Sequence, residues 1–331
     1  MRNKISQKRI SFFSRRRFVI PVLTAFFILM LLLPRYHLLN PYLQQVLMYI
    51  GINIILAESL NIINGFMGEF SVGHAAFMSI GAYIASILTV KIIPASMLAI
   101  GFPLAVIAGG LAAAGVGFLV AIPSFKIRGD YLAIVTLALV MIVKSIIENI
   151  DAVGAARGFM GMDRLTTPAW VFFWTVLTVW VTRNFLYSNL GRGMLSIRED
   201  EIACELMSVN TRKVKVMGFV VSAFFAGVAG GLFAHLIQYI NPSMFDILKS
   251  TDILIMIYLG GIGSITGAIL GATTYTLVLE LLRPLGIWRM VILPLCLIVL
   301  MIFRPRGIIG IKEFSWFFPR TDKRVQIKER V

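Results

Sequence analysis

Charged residues are scarce in this sequence. They make up 14% of its 331 residues, whereas hydrophobic residues make up 58%. A typical soluble domain carries about 25% charged residues. Apolar runs of roughly 20 residues, long enough to cross a bilayer as helices, recur along the chain. This composition excludes an ordinary soluble domain and predicts an all-α polytopic membrane protein.

Cysteine, histidine and catalytic motifs are also scarce or absent. Cys204 and Cys296 lie far apart and indicate neither a disulfide framework nor a metal site. The three histidines have no spacing typical of paired metal ligands. The sequence lacks the G-x-x-x-x-G-K-S/T phosphate loop and the G-x-S-x-G nucleophile motif. Ser71 with His74 is the only close nucleophile–base pair and has no third orienting group, so we expect neither an enzyme nor a resident cofactor.

Positive charge is concentrated at the two ends of the chain, whose net charge is +15. Seven basic residues precede Phe18 and eight follow Phe303. Basic clusters that flank membrane spans indicate cytoplasmic ends, next to anionic lipid headgroups rather than nucleic acid. The sequence therefore predicts a basic cytoplasmic tail (1–17), a transmembrane domain (18–303) and a second basic cytoplasmic tail (304–331).

The apolar runs predict about ten transmembrane helices. The first has no small-residue cleavage site after it, so we expect it to be retained. The segment 247–261 is short and begins with polar residues, which leaves open whether it crosses fully or turns back as a broken helix; such a break must line a cavity or be buried in protein. The approximate bounds are 18–34, 43–64, 72–93, 97–122, 131–149, 169–186, 216–238, 247–261, 265–282 and 287–303.

Small residues recur at every fourth position in several predicted spans. Residues spaced by four lie on nearly the same face of a helix, and small side chains let neighbouring backbones approach closely. We interpret the stripes as packing surfaces rather than binding sites. The clearest stripe, in the seventh span, consists of Gly218, Ser222, Ala226, Gly230 and Ala234.

The longest polar loop, 183–215, contains a short amphipathic segment at Glu199–Val209. Acidic residues begin it and basic residues follow it, as is typical of a helix. Its polar face carries Glu201 and Glu205, which anionic lipid would repel. A groove on a protein partner is therefore favoured over the membrane surface as its binding site.

The stretch "MGEFSVGHAAFMSIGAY" places polar residues inside an apolar region. Gly65 and Gly68 interrupt the helical pattern, and Ser71 is a good residue to begin a new helix. Two interpretations of Glu69, Ser71 and His74 remain open. They line or gate a translocation path, or they form a hydrogen-bonded cluster that fixes a helix break. The second interpretation is favoured.

Glu58 lies within the second span, between Asn53 and Asn61. Those two asparagines are eight residues apart and so share a face, whereas Glu58 points elsewhere. The sequence leaves open whether Glu58 faces a partner subunit or a pore.

Four segments together resemble LivM-type permeases, the membrane subunits of branched-chain amino acid ABC importers. They occur in the family's order and the likeness covers nearly the whole chain between its basic ends. The segments are "GEFSVGHAAFMSIGAY", "KIRGDYLAIVTLAL", "GRGMLSIREDEIACELMSVNTRKVKVMGFVVSAFFAGVAGGLFA" and "YLGGIGSITGAILGA".

The resemblance implies a permease in the bacterial inner membrane that carries leucine, isoleucine or valine. Its implied partners are a second permease subunit, two ATP-binding subunits that hydrolyse the ATP, an external substrate-binding protein and the lipid bilayer. It also implies that the loop helix couples to an ATP-binding subunit, through Glu199, Asp200, Glu201, Ala203, Glu205, Leu206 and Ser208. We take as candidates for the path or its gate Glu58, Glu69, Ser71, His74, Gly261, Gly263 and Ser264.

The sequence departs from the family pattern in three places, one of which is Glu58, where the family usually has an apolar or small residue. Ser208 stands where the family usually has a glycine that ends the loop helix, so either the turn differs or Asn210 adopts the left-handed conformation. The predicted external loop, 151–168, matches the family's glycine-rich turn only loosely. This loop is either a contact for the substrate-binding protein or a simple connector.

Two alternative functions remain. Urea and short-chain amide importers use similar permeases, and no residue spacing distinguishes among these substrates. A self-sufficient secondary transporter would need ion-coupling groups at the membrane midplane, which Glu58 and the broken segments could supply. The loop helix argues against that alternative because a secondary transporter needs no ATPase-docking element.

Overall fold

The computed structural model describes residues 40–126 and 131–288, with scattered positions between 291 and 310. The regular secondary structure of this part is helical apart from one antiparallel pair of two-residue strands, β1 (Phe159–Met160) and β2 (Tyr239–Ile240). Its helices are α1 (Pro41–Asn61), α2 (His74–Ile87), α3 (Leu98–Ser124), α4 (Tyr131–Glu148), α5 (Pro168–Tyr187), α6 (Asn189–Glu199), α7 (Glu201–Leu206), α8 (Thr211–Ile237), α9 (Ile247–Gly260) and α10 (Ile265–Leu281).

Several helices begin at residues that cap free backbone N–H groups. The side chains of Asn40 and Thr167 accept hydrogen bonds from the first turns of α1 and α5, and each is followed by a proline that suits the first helical position. Asn210 caps α8 and Ser264 caps α10 in the same way. Local sequence therefore fixes where these helices start.

Within the described residues, six helical segments are long and apolar enough to cross a membrane, or seven if α9 and α10 count as one bent span. The chain changes direction by 119° between α9 and α10. The six segments are Pro41–Met67, His74–Ile92, Leu98–Ser124, Tyr131–Glu148, Pro168–Tyr187 and Thr211–Ile237.

The predicted total of ten spans stays a prediction. The expected span 18–34 and the tail 1–17 lie outside the described residues, and 287–303 is described only in part. The cytoplasmic location of the two termini is likewise a prediction. What the structure shows is a multi-helix bundle whose six candidate spans match the six expected between 43 and 238, whereas 247–261 and 265–282 form one bent pair.

The centre of the bundle is α8, which packs against α2 and α3 through small residues. A Cβ atom on Gly81 of α2 would lie against the backbone of Gly227 in α8, and one on Gly109 of α3 would lie 2.6 Å from the carbonyl oxygen of Gly81. Gly230 approaches the backbone of Met78 in the same way. The three helices therefore touch backbone to backbone, which is possible only without side chains at these positions.

The small-residue stripe of α8 also contacts other elements. Gly218 faces Met194 of α6, and the Ser222 hydroxyl donates a hydrogen bond to the carbonyl of Ser59 in α1. Ala226 and Ala234 are fully buried. All five stripe positions thus lie at helix contacts or inside the core.

Candidate functional site

Two breaks in the helical backbone lie at one end of the bundle, both next to the loop between α5 and α8. The first break follows α1, which continues as a wider π-helical turn over Ile62–Met67 and ends at Gly68 with a φ of 77°. The second separates α9 from α10 at Gly261 (φ 126°) and Gly263 (φ 76°). Such left-handed backbone angles favour glycine.

The backbone groups of the first break are satisfied by side chains from other elements. The amide of Asn64 pairs with both backbone groups of Ser71. The N–H of Val72 donates to the Thr136 hydroxyl of α4 at 3.2 Å, and the N–H of Ala75 donates to the Ser250 hydroxyl of α9 at 3.1 Å. The break is therefore held by a dense hydrogen-bond network within the chain.

His74 and Ser71 are both fully buried in this network. The Nε2 atom of His74 lies 2.8 Å from the hydroxyl of Ser59 in α1. Their position inside the chain matches the geometry of a hydrogen-bonded helix break. A role in lining or gating a path stays a prediction for both residues.

Asn61 joins the first break to the second. Its Oδ1 atom accepts a hydrogen bond from the N–H of Gly263 at 2.9 Å, and its Nδ2 atom donates to the carbonyl of Ser264 at 3.1 Å. Asn53, on the same face of α1, donates to Thr276 of α10 at 2.9 Å. The shared face that the spacing of the two asparagines predicted is thus the face toward α10.

Glu58 is fully buried inside the chain. This burial argues against one of the two alternatives that the sequence left open, contact with a partner subunit. Its role in a path stays a prediction, as do the roles of Gly261, Gly263 and Ser264.

The loop between α5 and α8 contains two helices rather than the single helix expected at Glu199–Val209. Glu199 is the last residue of α6, and Asp200 adopts an extended conformation with its carboxylate accepting from the N–H of Ala203 at 3.0 Å. This carboxylate caps α7, which therefore covers only Glu201–Leu206. The expected helix Glu199–Val209 was wrong at both ends, since the extended backbone of Asp200 separates Glu199 from α7 and α7 already ends at Leu206.

Ser208 itself adopts the left-handed conformation after α7, with a φ of 60°. Asn210 has a φ of −77° and instead caps α8. Both alternatives considered for this turn were wrong, since the serine takes the conformation that a glycine would take.

The outer surface of α7 is apolar and exposed. Ile202, Leu206 and Met207 are 65%, 81% and 79% exposed, whereas Cys204 packs inward. Glu205 accepts a hydrogen bond from the Thr211 hydroxyl at the start of α8. Glu201 is partly buried against Lys215, whereas Glu205 stays exposed at the edge of the outward apolar surface.

A nearly buried lysine links α7 to the first break. The Nζ atom of Lys215 in α8 lies 2.5 Å from Glu69 Oε1 and 2.7 Å from Glu201 Oε1, and its side chain is 8% exposed. The same Nζ atom lies 5.9 Å from the centre of the Phe125 ring at the end of α3. A cavity of about 480 Å³ opens beside these residues and also contains Arg198 in its wall.

Arg198 of α6 contacts both breaks. Its Nη1 atom donates to the carbonyl of Gly65 at 2.7 Å. The same atom lies 2.6 Å from the position that a Cβ atom on Gly263 would occupy. The sequence singled out neither Arg198 nor Lys215, because each was one basic residue among several in a polar loop and only tertiary contacts distinguish them.

The glycine-rich loop at 151–168 lies at the opposite end of α8. Gly154, Gly158 and Gly161 all have left-handed φ values, between 83° and 95°. The hydroxyl of Tyr239 and the amide of Asn241 donate to carbonyls of this loop. The loop is thereby tied to β2, and its contact with a binding protein stays a prediction.

The chain matches the family described as branched-chain amino acid transport system / permease component over residues 42–303. It is 31% identical over 293 residues to the high-affinity branched-chain amino acid transport system permease protein LivM of Escherichia coli, covering 78% of this chain and 68% of that protein. It is 25% identical over 279 residues to a probable LivM of Methanocaldococcus jannaschii, covering 72% and 81%.

A second kind of permease also resembles the chain. The high-affinity branched-chain amino acid transport system permease protein LivH of Salmonella typhimurium is 30% identical over 168 residues, which cover 49% of this chain and 53% of that protein. No solved structure matches the chain. Since the family match extends over most of the sequence, the chain belongs to the branched-chain amino acid transport system permease family.

Proposed function

We propose that the chain is the membrane subunit of an ATP-driven importer that carries branched-chain amino acids across the bacterial inner membrane. It forms one half of the translocation path and pairs with a second permease subunit. Two separate subunits bind and hydrolyse ATP, and an external binding protein delivers the substrate. The family membership and the names of the relatives, which are branched-chain amino acid transport permeases, support this proposal.

The observation that carries the proposal is the outward apolar surface of α7. A helix of six residues with Leu206 81% exposed gains little from the rest of the chain and fits the groove of a partner. Glu205, exposed at the edge of this surface, disfavours anionic lipid as that partner. An ATP-binding subunit is the partner that this family membership implies.

The position of α7 beside the two helix breaks suggests how ATP hydrolysis on the partner subunits is coupled to movement of the permease. Closure of the ATP-binding subunits displaces α7, and the breaks are where α1 and α9 can bend without disrupting a continuous helix. Irregular backbone at membrane depth is tolerated next to a cavity or inside protein. We therefore assign the path or its gate to the neighbourhood of these breaks.

The proposed topology has ten membrane spans with both termini in the cytoplasm. The basic tails support it through the positive-inside rule. It places α7 on the cytoplasmic side, where the ATP-binding subunits lie, and the 151–168 loop on the outside, where a binding protein would dock.

The first experiment is co-purification of the chain with ATP-binding subunits in mild detergent. We expect the native chain to retain an ATPase, and Leu206→Asp and Glu205→Lys each to lose it. Met160→Asp is the matched control, because Met160 is 66% exposed but lies at the opposite end of α8. Retention by both α7 variants would refute the docking role of α7.

A second outcome separates the proposal from a secondary transporter. If the native chain retains no ATPase under any condition while it still transports substrate, the chain works alone and the proposal fails. If the ATPase is retained, transport with binding proteins loaded with leucine, urea or a short-chain amide identifies the substrate class.

A further inference from the structure

The loop that carries α7 is connected to both helix breaks by two basic side chains. Lys215 bridges Glu201, the first residue of α7, and Glu69 in the first break. Arg198, two residues before the cap of α7, contacts Gly65 in the first break and Gly263 in the second. The helix α7 and the two breaks are thus connected by two cations, one on α8 and one on α6.

The burial of Lys215 makes this connection stiff. Its side chain is 8% exposed, and the two carboxylates that neutralise it are 22% and 39% exposed. A displacement of α7 that left Lys215 behind would break one of the two ion pairs of a nearly buried ammonium group, which costs free energy. Movement of α7 is therefore expected to pull on Lys215 and, through it, on Glu69.

Arg198 forms the second connection by a charge-assisted hydrogen bond. Its guanidinium donates to the Gly65 carbonyl near the end of a helix, where a cation is favoured. The same group packs against the backbone of Gly263, where any side chain would collide with it. A displacement of α6 would therefore change the contacts of Arg198 with both breaks.

Resting on the function proposed above, we propose that Lys215 and Arg198 are positioning residues that transmit displacement of α7 to the two helix breaks. Neither residue contacts the transported substrate in this scheme. Glu69 and Glu201 are the two ends of the Lys215 connection, arranged in series. Breaking either end interrupts transmission without removing the surface on which the ATP-binding subunit docks.

The test uses the full transporter in proteoliposomes and measures leucine imported per ATP hydrolysed. We expect Glu69→Gln and Glu201→Gln each to lower this ratio about tenfold, a typical size for coupling between sites. Because the two contacts act in series, the double variant should lower it no further. ATPase co-purification and the thermal unfolding midpoint should stay near those of the native complex, since both carboxylates are partly exposed.

The matched control is Glu148→Gln, which makes the same charge change at the last residue of α4, outside the coupling loop. For the second connection, Arg198→Met should lower the ratio, whereas Arg192→Met should not, because Arg192 contacts Asn189 of its own helix.

Three results would overturn the inference. They are an unchanged import-to-ATP ratio in both glutamine variants, multiplying effects in the double variant, and loss of subunit assembly in either single variant, which would make the cluster a structural brace. Failure of the proposed function is distinguishable, because then the native chain would retain no ATPase at all.

Discussion

At the scale of single residues, Asn61 shows how a break in one membrane helix is fixed by a neighbouring helix. A helix interruption frees backbone groups that lipid cannot satisfy. The fully buried amide of Asn61 accepts from Gly263 and donates to Ser264, so one side chain satisfies a donor and an acceptor of the second break. Lys215 plays a comparable role for two carboxylates.

We expect Asn61→Ala to destabilise the protein by about 2 kcal/mol, because it leaves a buried N–H and a buried carbonyl without partners. The measurement is the thermal unfolding midpoint in detergent. Asn149→Ala is the control, since Asn149 is exposed and donates only to its own helix at Ser145. Equal midpoints for the two variants would show that Asn61 does not hold the break.

At the scale of elements, α8 organises the bundle through close backbone contacts. The four-residue periodicity of small residues predicted a packing face, but the periodicity alone does not say which helices share it. The structure pairs α8 with α2 and α3 through Gly227, Gly81 and Gly109. Helices that touch backbone to backbone gain dispersion contacts that bulky residues would prevent.

We expect Gly81→Ala to destabilise the protein by about 2 kcal/mol, because the new methyl group would meet the backbone of Gly227 and force α2 and α8 apart. Gly115→Ala in α3 is the control. A Cβ atom there would meet nothing within 4 Å, so that variant should be neutral or gain up to about 1 kcal/mol from helix propensity. Unfolding midpoints in detergent that fall together in both variants would contradict this account.

The loop between α5 and α8 shows that residue spacing does not predict where a short helix begins and ends. Acidic and apolar spacing located a short helix near Glu201–Leu206, but not its start at Asp200 or the preceding α6. The helix begins after one extended residue, Asp200, whose carboxylate accepts a hydrogen bond from the N–H of Ala203. A periodicity averaged over two turns does not detect one such residue.

At the scale of the whole molecule, the two ends of the bundle differ in character. One end carries the two helix breaks, the ion-pair network and the apolar surface of α7. The other carries the 151–168 loop tied to β2. The length of α8, 27 residues, separates the ends by about 40 Å.

We expect Met207→Cys to react with a membrane-impermeant thiol reagent only from the cytoplasmic side, and Met160→Cys only from the outside. Both side chains are largely exposed, so their access reports sidedness rather than burial. The measurement compares spheroplasts with inside-out vesicles, in a Cys204→Ala, Cys296→Ala background. The reverse labelling pattern would refute the proposed orientation.

The sequence by itself determined that the chain lies in a membrane, the approximate helix positions, the packing stripe of α8 and the family resemblance. These depend on composition and on residues a few positions apart, which local periodicity reports. It also drew attention to Glu69, Ser71 and His74, because polar residues in an apolar run are conspicuous.

Only the tertiary structure decided what those residues contact. Lys215 meets Glu69 across 146 positions of sequence and Asn61 meets Gly263 across 202. No local pattern encodes such pairs, since a basic residue in a polar loop looks the same whether it faces water or two carboxylates of the same chain. The fold alone sets which charges leave water together, and the cost of separating them connects α7 to the breaks.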